Sequence, residues 1–370
     1  MMAYLRRRER KVKRRHQVKT VAGCCGLLND LRKDYLLNRW VVIATHRKRR
    51  PTDFTNKRSA PQSVDGSKCP FCPGNERKTP PAVLLYLKGE KGRILKEKDT
   101  DGFRHENWLI RCVSNLYPAF SPPENGQNLN SGRAVGHHEV LVESPNHTEH
   151  PAVARLDQLT HVVNAYIDRL KELSAKPYVR YVSIFRNHGL EAGASLSHAH
   201  SQIIATPTTP VILSNELRAS KDFHEANGLC VFCNILEKEK MSARFIWEDE
   251  NFVAFAPRAA VHPFEFWILP KAHRATLLDL PPKSTKSLTR ALSVCLGGLN
   301  SLLNDPPYNY GFHIAPNNGE RNEFYHWHLE VYPKLTIWAG FEKSTGIYIN
   351  VVPPEDSAKS LKIAIEKSQT

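Results

Sequence analysis

The sequence lacks a long hydrophobic stretch and has few cysteines for its length. Its 370 residues contain no apolar run that approaches the ~20 residues of a membrane-crossing helix. Eight cysteines are too few for a disulfide scaffold, and four of them form two Cys-x-x-Cys pairs, which favours metal binding in a reducing compartment. We therefore expect a cytoplasmic protein and no membrane partner.

The composition excludes a mainly disordered or fibrous chain. Hydrophobic residues make up 41% and charged residues 24% of the sequence, as in ordinary globular proteins. The length exceeds that of a common single folding unit, so we expect two domains or one large composite domain.

The positive charge is concentrated at the N-terminus. Residues 1–20 contain nine Lys or Arg residues and one acidic residue, Glu9, which gives this segment a net charge of +8. The total net charge is +15, so the other 350 residues carry only +7. We predict a basic, disordered extension over 1–30. A transit peptide or a start codon assigned too early would have the same composition, whereas a secretory signal is disfavoured because the apolar segment 21–28 is short and contains glycine. The rest of the chain needs no nucleic-acid partner to explain its charge.

Three motifs occur twice, in the same order. Each copy has a Cys-x-x-Cys pair, a histidine after a short β-rich run, and a His-x-His segment. The step from the second motif to the third is 51 residues in the first copy and 53 in the second. We infer a tandem duplication with halves 31–212 and 213–370. The motif residues are Cys69, Cys72, His147 and His198 in the first half, and Cys230, Cys233, His273 and His326 in the second.

Each half is predicted to run strand, helix, strand, strand. Segments 139–143 and 264–269 are short, β-rich and stopped by proline. Segments 156–173 and 288–303 have apolar residues at helical spacing. Two further strands are predicted in the first half, at 178–185 and 198–205. This order predicts an α+β fold in which helices pack on antiparallel sheets.

Two cysteines and two histidines in each half form a typical tetrahedral zinc set, because thiolate and imidazole suit this ion. Four protein ligands leave no open position, so a structural zinc site is expected in the first half and a second metal site in the other. Pairs of buried free cysteines are the alternative in both halves.

The segment His198-Ala-His200-Ser-Gln202 combines residues that suit phosphoryl chemistry. In a strand the two histidines and Gln202 project from one face. A neutral imidazole at His200 can attack phosphorus, and Gln202 can donate to a phosphoryl oxygen. The small loop 192–195 before it, with Ser195, suits a phosphate cradle. The alternative is that both histidines are zinc ligands or packed core residues.

Residues 185–202 resemble the active-site segment of galactose-1-phosphate uridylyltransferases, the transferase branch of the histidine-triad superfamily. The similarity extends from about Leu31 to the C-terminus, through Asn38-Arg-Trp-Val-Val-Ile43, Arg47-Lys-Arg-Arg-Pro51 and Asn115-Leu-Tyr-Pro118. It implies two histidine-triad-like halves in a homodimer, with zinc in the first half. In the second half it implies Zn or Fe, for which His313 is a further candidate ligand.

The resemblance also implies a reaction. His200 would take UMP from UDP-glucose and pass it to galactose 1-phosphate in a ping-pong mechanism, a reaction of galactose metabolism. In the family, a glutamine at the position of Gln202 accompanies transfer rather than hydrolysis. The substrates are thus a nucleotide sugar and a sugar 1-phosphate. The implied substrate-binding residues are Arg47, Arg50, Asn115, Asn187, Ser195, Gln202 and Glu342.

Three departures qualify this reading. The chain has Ala199 where the family often has proline, which should leave the histidine spacing intact. The segment 339–350 keeps Glu342 but lacks the lysine that some family members place a few residues earlier. Its Gly-Phe-Glu form also occurs in phosphorylases of ADP-glucose and similar nucleotide sugars, so such a phosphorylase is the alternative enzyme. Glu330 replaces the glutamine in the second copy, so His328 is not expected to be a nucleophile.

A zinc-ribbon nucleic-acid binder is the non-enzymatic alternative, but it explains neither Gln202 nor the nearly equal steps of 51 and 53 residues between the repeated motifs.

Overall fold

The computed structural model describes residues 29–47, 49–55, 66–123, 132–317, 319 and 322–369. The extension predicted for residues 1–30 therefore lies outside the described residues, apart from Asn29 and Asp30, and Asp30 already begins the first strand. Within the described ranges no helix is both long and apolar enough to span a membrane.

Strands and helices are interspersed along the described residues. The strands are β1 Asp30–Lys33, β2 Trp40–Ile43, β3 Ala82–Lys88, β4 Ile94–Glu97, β5 Trp108–Ser114, β6 His137–Val142, β7 Tyr181–His188, β8 His200–Thr206, β9 Phe245–Glu248, β10 Phe252–Phe255, β11 Phe266–Pro270, β12 Tyr308–His313, β13 His328–Pro333 and β14 Ile347–Asn350. The helices are α1 Thr52–Thr55, α2 Leu156–Ser174, α3 Val211–Asn227, α4 Val231–Lys240, α5 Pro282–Leu303, α6 Gly340–Thr345 and α7 Pro354–Gln369.

One antiparallel sheet runs through both halves. Its eleven strands follow the order β4-β3-β5-β6-β8-β7-β12-β13-β11-β10-β9, and the halves join where β7 pairs with β12, with Asn187 opposite Asn309. The predicted α+β class with antiparallel strands and packed helices is confirmed. The predicted boundary between 212 and 213 falls inside α3 and stays a prediction.

The repeated order of elements is also confirmed, with shifted bounds. The first half has β6, α2, β7 and β8, and the second has β11, α5, β12 and β13. The strand predicted from 198 begins only at His200, because the carbonyl of His198 accepts from the His200 ring at 2.8 Å instead of joining the β-ladder. Helix α5 begins at Pro282, earlier than predicted, since proline is well tolerated in the first turn of a helix.

The two long helices cover the sheet with their apolar stripes. Leu159, Val163 and Tyr166 of α2 share one buried core with Leu292 and Leu299 of α5. These residues recur at three- and four-residue spacing, so each helix presents one apolar side to the sheet. This layer fixes the strands that carry the histidines.

A small sheet holds the N-terminal segment on the second half. Strand β2 pairs with β1 and, in parallel, with β14. Val41 and Ile43 pack on Ala259 and Val261, and the amide of Ala44 donates to the carbonyl of Asn350 at 2.8 Å. The arginine-rich segment that follows β2 is therefore anchored beside the C-terminal part of the chain.

Candidate active site and metal centres

The first cysteine pair and its two histidines converge as predicted. One ligand atom from each of Cys69, Cys72, His147 and His198 lies within 4.8 Å of all the others. Cys72 Sγ is 3.3 Å from His147 Nδ1 and 3.4 Å from His198 Nδ1, and Cys69 Sγ is 3.7 Å from His198 Nδ1. Tetrahedral zinc bonds place neighbouring sulfur and nitrogen ligands roughly 3.5 Å apart. The residues therefore fit a zinc ion.

The Nε2 atoms of His147 and His198 have partners that favour metal binding through the Nδ1 atoms. His198 is fully buried and its Nε2 donates to the carbonyl of Ser144 at 2.8 Å, which leaves the Nδ1 lone pair for a metal. His147 Nε2 lies 2.9 Å from Ser197 Oγ. Burial lowers the pKa of His198 to about 4, so its ring is neutral near pH 7.

His200 occupies a different position two residues further on. Its Nδ1 donates to the carbonyl of His198 at 2.8 Å, so in the neutral ring the lone pair lies on Nε2. Burial lowers its pKa, which keeps the imidazole neutral and nucleophilic. The ring of Phe71 packs against it with 5.3 Å between centroids. His198 thus belongs to the Cys/His group and His200 does not, and the nucleophilic role of His200 stays a prediction.

A glycine turn stands beside this histidine strand. Gly189 and Gly193 both have positive φ, and a Cβ on Gly189 would come within 2.9 Å of Pro307. Asn187 precedes the turn, and its Oδ1 accepts from Asn309 Nδ2 at 2.8 Å. This contact leaves the Asn187 amide nitrogen on the side of Gly193. The predicted phosphate cradle, including the exposed Ser195, therefore contains hydrogen-bond donors.

Gln202 follows His200 on the same side of β8. Its Oε1 lies 2.8 Å from His138 Nε2, and His138 in turn contacts Asn115 at 3.1 Å. The structure therefore links Asn115 and Gln202 through His138, and their predicted roles in substrate binding stay predictions. His138 was not predicted, because no local pattern marks it.

A buried charged network supports β8 from the helix side. Arg186 and Glu143 are each 2% exposed and form an ion pair. Glu143 also accepts from Ser201 and Tyr166. Sequence reasoning missed this network, although a Glu and an Arg in otherwise apolar strands are a recognisable signal, since buried charges need partners.

The remaining predicted substrate residues lie on other segments. Arg47 and Arg50 are exposed on the anchored segment after β2. Glu342 is in α6, where its Oε2 accepts from the amide of Ala339 at 3.0 Å. The contacts described for these three residues do not include the His200 strand, so their predicted substrate roles stay predictions.

The second cysteine pair also converges with its histidines. Cys233 Sγ lies 3.5 Å from the Nδ1 atoms of both His273 and His326, and Cys230 completes a group within 4.8 Å. The buried Nε2 of His326 has no partner among the described residues. This set also fits a tetrahedral metal ion.

A third group of ligating side chains lies next to it. Glu216, His313, His328 and Glu330 come within 4.8 Å of one another. His313 Nδ1 is 3.0 Å from Glu216, and His328 Nε2 is 3.2 Å from Glu330. Burial lowers the pKa of His313, but Glu216 and Glu330 raise it to about 9. Nε2 of His328, the counterpart of the candidate nucleophilic nitrogen of His200, therefore faces a carboxylate, in agreement with the expectation that His328 is not a nucleophile.

Comparison with known proteins covers most of the chain. The model of the galactose-1-phosphate uridyl transferase N-terminal domain matches residues 98–210, and that of the C-terminal domain matches 182–340. The chain is 35% identical to the ADP-glucose phosphorylase of Arabidopsis thaliana, over 90% of this chain and 92% of the relative. It is 30% identical to the galactose-1-phosphate uridylyltransferase of Thermotoga maritima, over 90% of this chain and 98% of that relative.

Solved structures agree with these sequence matches. The crystal structure of an Arabidopsis thaliana ADP-glucose phosphorylase with bound ADP-glucose has a TM-score of 0.73 to this chain at 34% identity, covering 90% of this chain and 98% of that chain. A uridylyltransferase structure has a TM-score of 0.68 at 28% identity, covering 93% of this chain and 100% of that chain. The chain is therefore a nucleotidyltransferase-type enzyme, and it belongs to the galactose-1-phosphate uridylyltransferase family.

Proposed function

We propose that this protein moves a nucleotidyl group from a nucleotide sugar to a phosphate-bearing acceptor through a covalent intermediate on His200. One observation carries the proposal. The Nδ1 of His200 is committed to the carbonyl of His198, so a neutral ring offers its Nε2 lone pair on the side that carries Gln202. A positioned imidazole of this kind is a nucleophile for phosphorus.

The reaction has two steps that balance. His200 Nε2 attacks the α-phosphorus of the donor, a P–N bond forms, and the P–O bond to the sugar phosphate breaks, so sugar 1-phosphate leaves. An oxygen of the acceptor phosphate then attacks the same phosphorus and the P–N bond breaks, which restores the imidazole. Gln202, Asn187 and Ser195 are the donors proposed to hold the phosphoryl oxygens. A zinc ion held by Cys69, Cys72, His147 and His198 would supply only rigidity, by fixing His198 and hence the start of β8.

The observations favour ADP-glucose as donor and inorganic phosphate as acceptor. The relative that is 35% identical over 90% of this chain is described as an ADP-glucose phosphorylase, and the Gly340-Phe-Glu form seen here suits such enzymes. UDP-glucose with galactose 1-phosphate is the second candidate, supported by the family description and by the 30% identical uridylyltransferase. Cytoplasmic location and a homodimer stay predictions.

Labelled donors test the proposal. The metal-loaded protein is incubated separately with ADP-glucose and UDP-glucose, each carrying α-³²P, and protein-bound label is measured after denaturation. We expect acid-labile label on the wild type and on His161→Asn, a half-buried histidine of α2 whose ring contacts Tyr86 of β3, and none on His200→Asn. Absence of label from both donors would overturn the covalent mechanism. Chasing the labelled protein with inorganic phosphate or galactose 1-phosphate identifies the acceptor.

A further inference from the structure

His138 connects the proposed phosphate-binding glutamine to a neighbouring loop. In the register of β6 and β8, His138 lies opposite Ile204 and Val140 lies opposite Gln202, so His138 is diagonal to Gln202 on the same face of the sheet. Its Nε2 is 2.8 Å from Gln202 Oε1. The other ring nitrogen, Nδ1, accepts from the amide of Ala119 at 3.1 Å. The carbonyl of His138 accepts from the amide of Asn115 at 2.8 Å.

These contacts determine the tautomer of His138. A backbone amide can only donate, so Nδ1 carries no proton and the neutral ring carries its proton on Nε2. That proton is directed at Gln202, whose oxygen must then be the atom that faces His138. Asn115 Nδ2, at 3.1 Å from the same Nε2, cannot donate to a protonated nitrogen, so Gln202 is the acceptor for the His138 proton.

The orientation of Gln202 follows from this tautomer. The oxygen and the NH₂ group of a glutamine side chain are nearly equal in size, so only hydrogen bonding distinguishes its two orientations. With Oε1 held by His138, the NH₂ group is the end that remains to face a substrate. In the opposite orientation a carbonyl oxygen would face the phosphoryl oxygens and repel them.

We propose that His138 is a positioning residue for nucleotidyl transfer: it orients Gln202 so that the amide donates to the phosphoryl group, and it couples that orientation to the loop 115–119. This inference rests on the proposed function. His138 itself does not contact the reacting atoms, so its effect must pass through Gln202. Removing one such hydrogen bond is expected to slow transfer roughly tenfold.

A double-mutant cycle in the metal-loaded, full-length protein tests the inference. The variants are His138→Phe, His138→Gln, Gln202→Ala and the combination of His138→Phe with Gln202→Ala. The control is His137→Phe, the adjacent residue on the other face of β6, where His137 stacks on Tyr178. For each, the single-turnover rate of protein labelling, kcat and KM for the donor, and the thermal unfolding midpoint are measured.

We expect His138→Phe to lower the labelling rate and kcat roughly tenfold while KM changes by less than about twofold. His138→Gln should recover most of the rate, because its amide nitrogen can donate to Gln202. The double variant should be no slower than Gln202→Ala, and His137→Phe should match the wild type.

Two results would overturn the inference. The first is a wild-type labelling rate in His138→Phe. The second is a His138→Phe substitution that slows labelling by the same factor in the Gln202→Ala background as in the wild type. If His138→Phe does not fold, His138→Asn, whose amide is too short to reach Gln202, takes its place. A wild type that accepts no label at all contradicts the proposed function instead, so the two failures are distinct.

Discussion

Arg186 donates a hydrogen bond from Nη1 to the carbonyl oxygen of His200 at 3.2 Å. The same guanidinium pairs with Glu143 in a fully enclosed setting. The backbone of the proposed nucleophile is therefore held by a charged network on the Ser201 face of β8, opposite the His200 side chain.

Breaking this ion pair should destabilise the protein strongly. Arg186→Met leaves the Glu143 carboxylate buried without its partner, which costs roughly 3–5 kcal/mol of unfolding free energy. Urea unfolding measures the loss. Lys221→Met is the control because Lys221 and Glu225, whose side chains are 60% and 63% exposed, form a pair at the surface of α3, where a pair is worth roughly 0–1 kcal/mol. Equal effects of the two substitutions would contradict the structural role of the network.

Metal content should follow the two cysteine sets independently. Cys72→Ser is expected to lose one metal equivalent per chain and Cys233→Ser a different one, because each removes a thiolate from its own group. Cys295→Ala, which changes a free buried cysteine of α5, should retain the full content. Elemental analysis of the purified variants measures this, and an unchanged zinc content in Cys72→Ser would exclude the first site.

Two adjacent glycines of α5 should respond oppositely to alanine. A Cβ on Gly298 would lie 2.5 Å from Ile365 of α7, whereas one on Gly297 would meet only the carbonyl of Ala152 at 3.4 Å. Gly298→Ala should therefore lower the unfolding free energy by roughly 1–3 kcal/mol through overpacking. Gly297→Ala should be neutral or raise it by up to about 1 kcal/mol through helix propensity. Thermal unfolding of both variants checks the packing of α5 on α7, and equal midpoints would contradict it.

Asp99 should stabilise the first half only when it is ionised. Burial raises its pKa, but hydrogen bonds from the amides of His105 and Ala82 and from Arg111 outweigh burial and lower the pKa below its ordinary value of 3.8. A lowered folded pKa means that this stabilisation is present above about pH 3.8 and is lost as the pH falls through the folded pKa.

Asp99→Asn should thus be less stable than the wild type at neutral pH, by roughly 1–3 kcal/mol, and the difference should shrink below about pH 3.8. Urea unfolding across this range measures the difference, with the exposed Asp101→Asn as control. A difference that stayed constant down to about pH 3 would show that ionisation of Asp99 is not its source.

The sequence alone determined the repeated order of strand, helix, strand and strand and the two groups of cysteines and histidines that converge. These features depend on periodicity, on residue type and on spacing along the chain, all of which a single sequence displays. It did not reveal the group formed by Glu216, His313, His328 and Glu330, because its members are drawn from a helix and two strands far apart in the chain.

Only the tertiary structure decided which side chains support the candidate site. His138 meets Gln202 across 64 residues of sequence, and Asn309 of the second half meets Asn187 across 122. Both contacts arise from strand register within a sheet that continues through both halves, and register depends on how whole strands pack on the helices rather than on any local pattern.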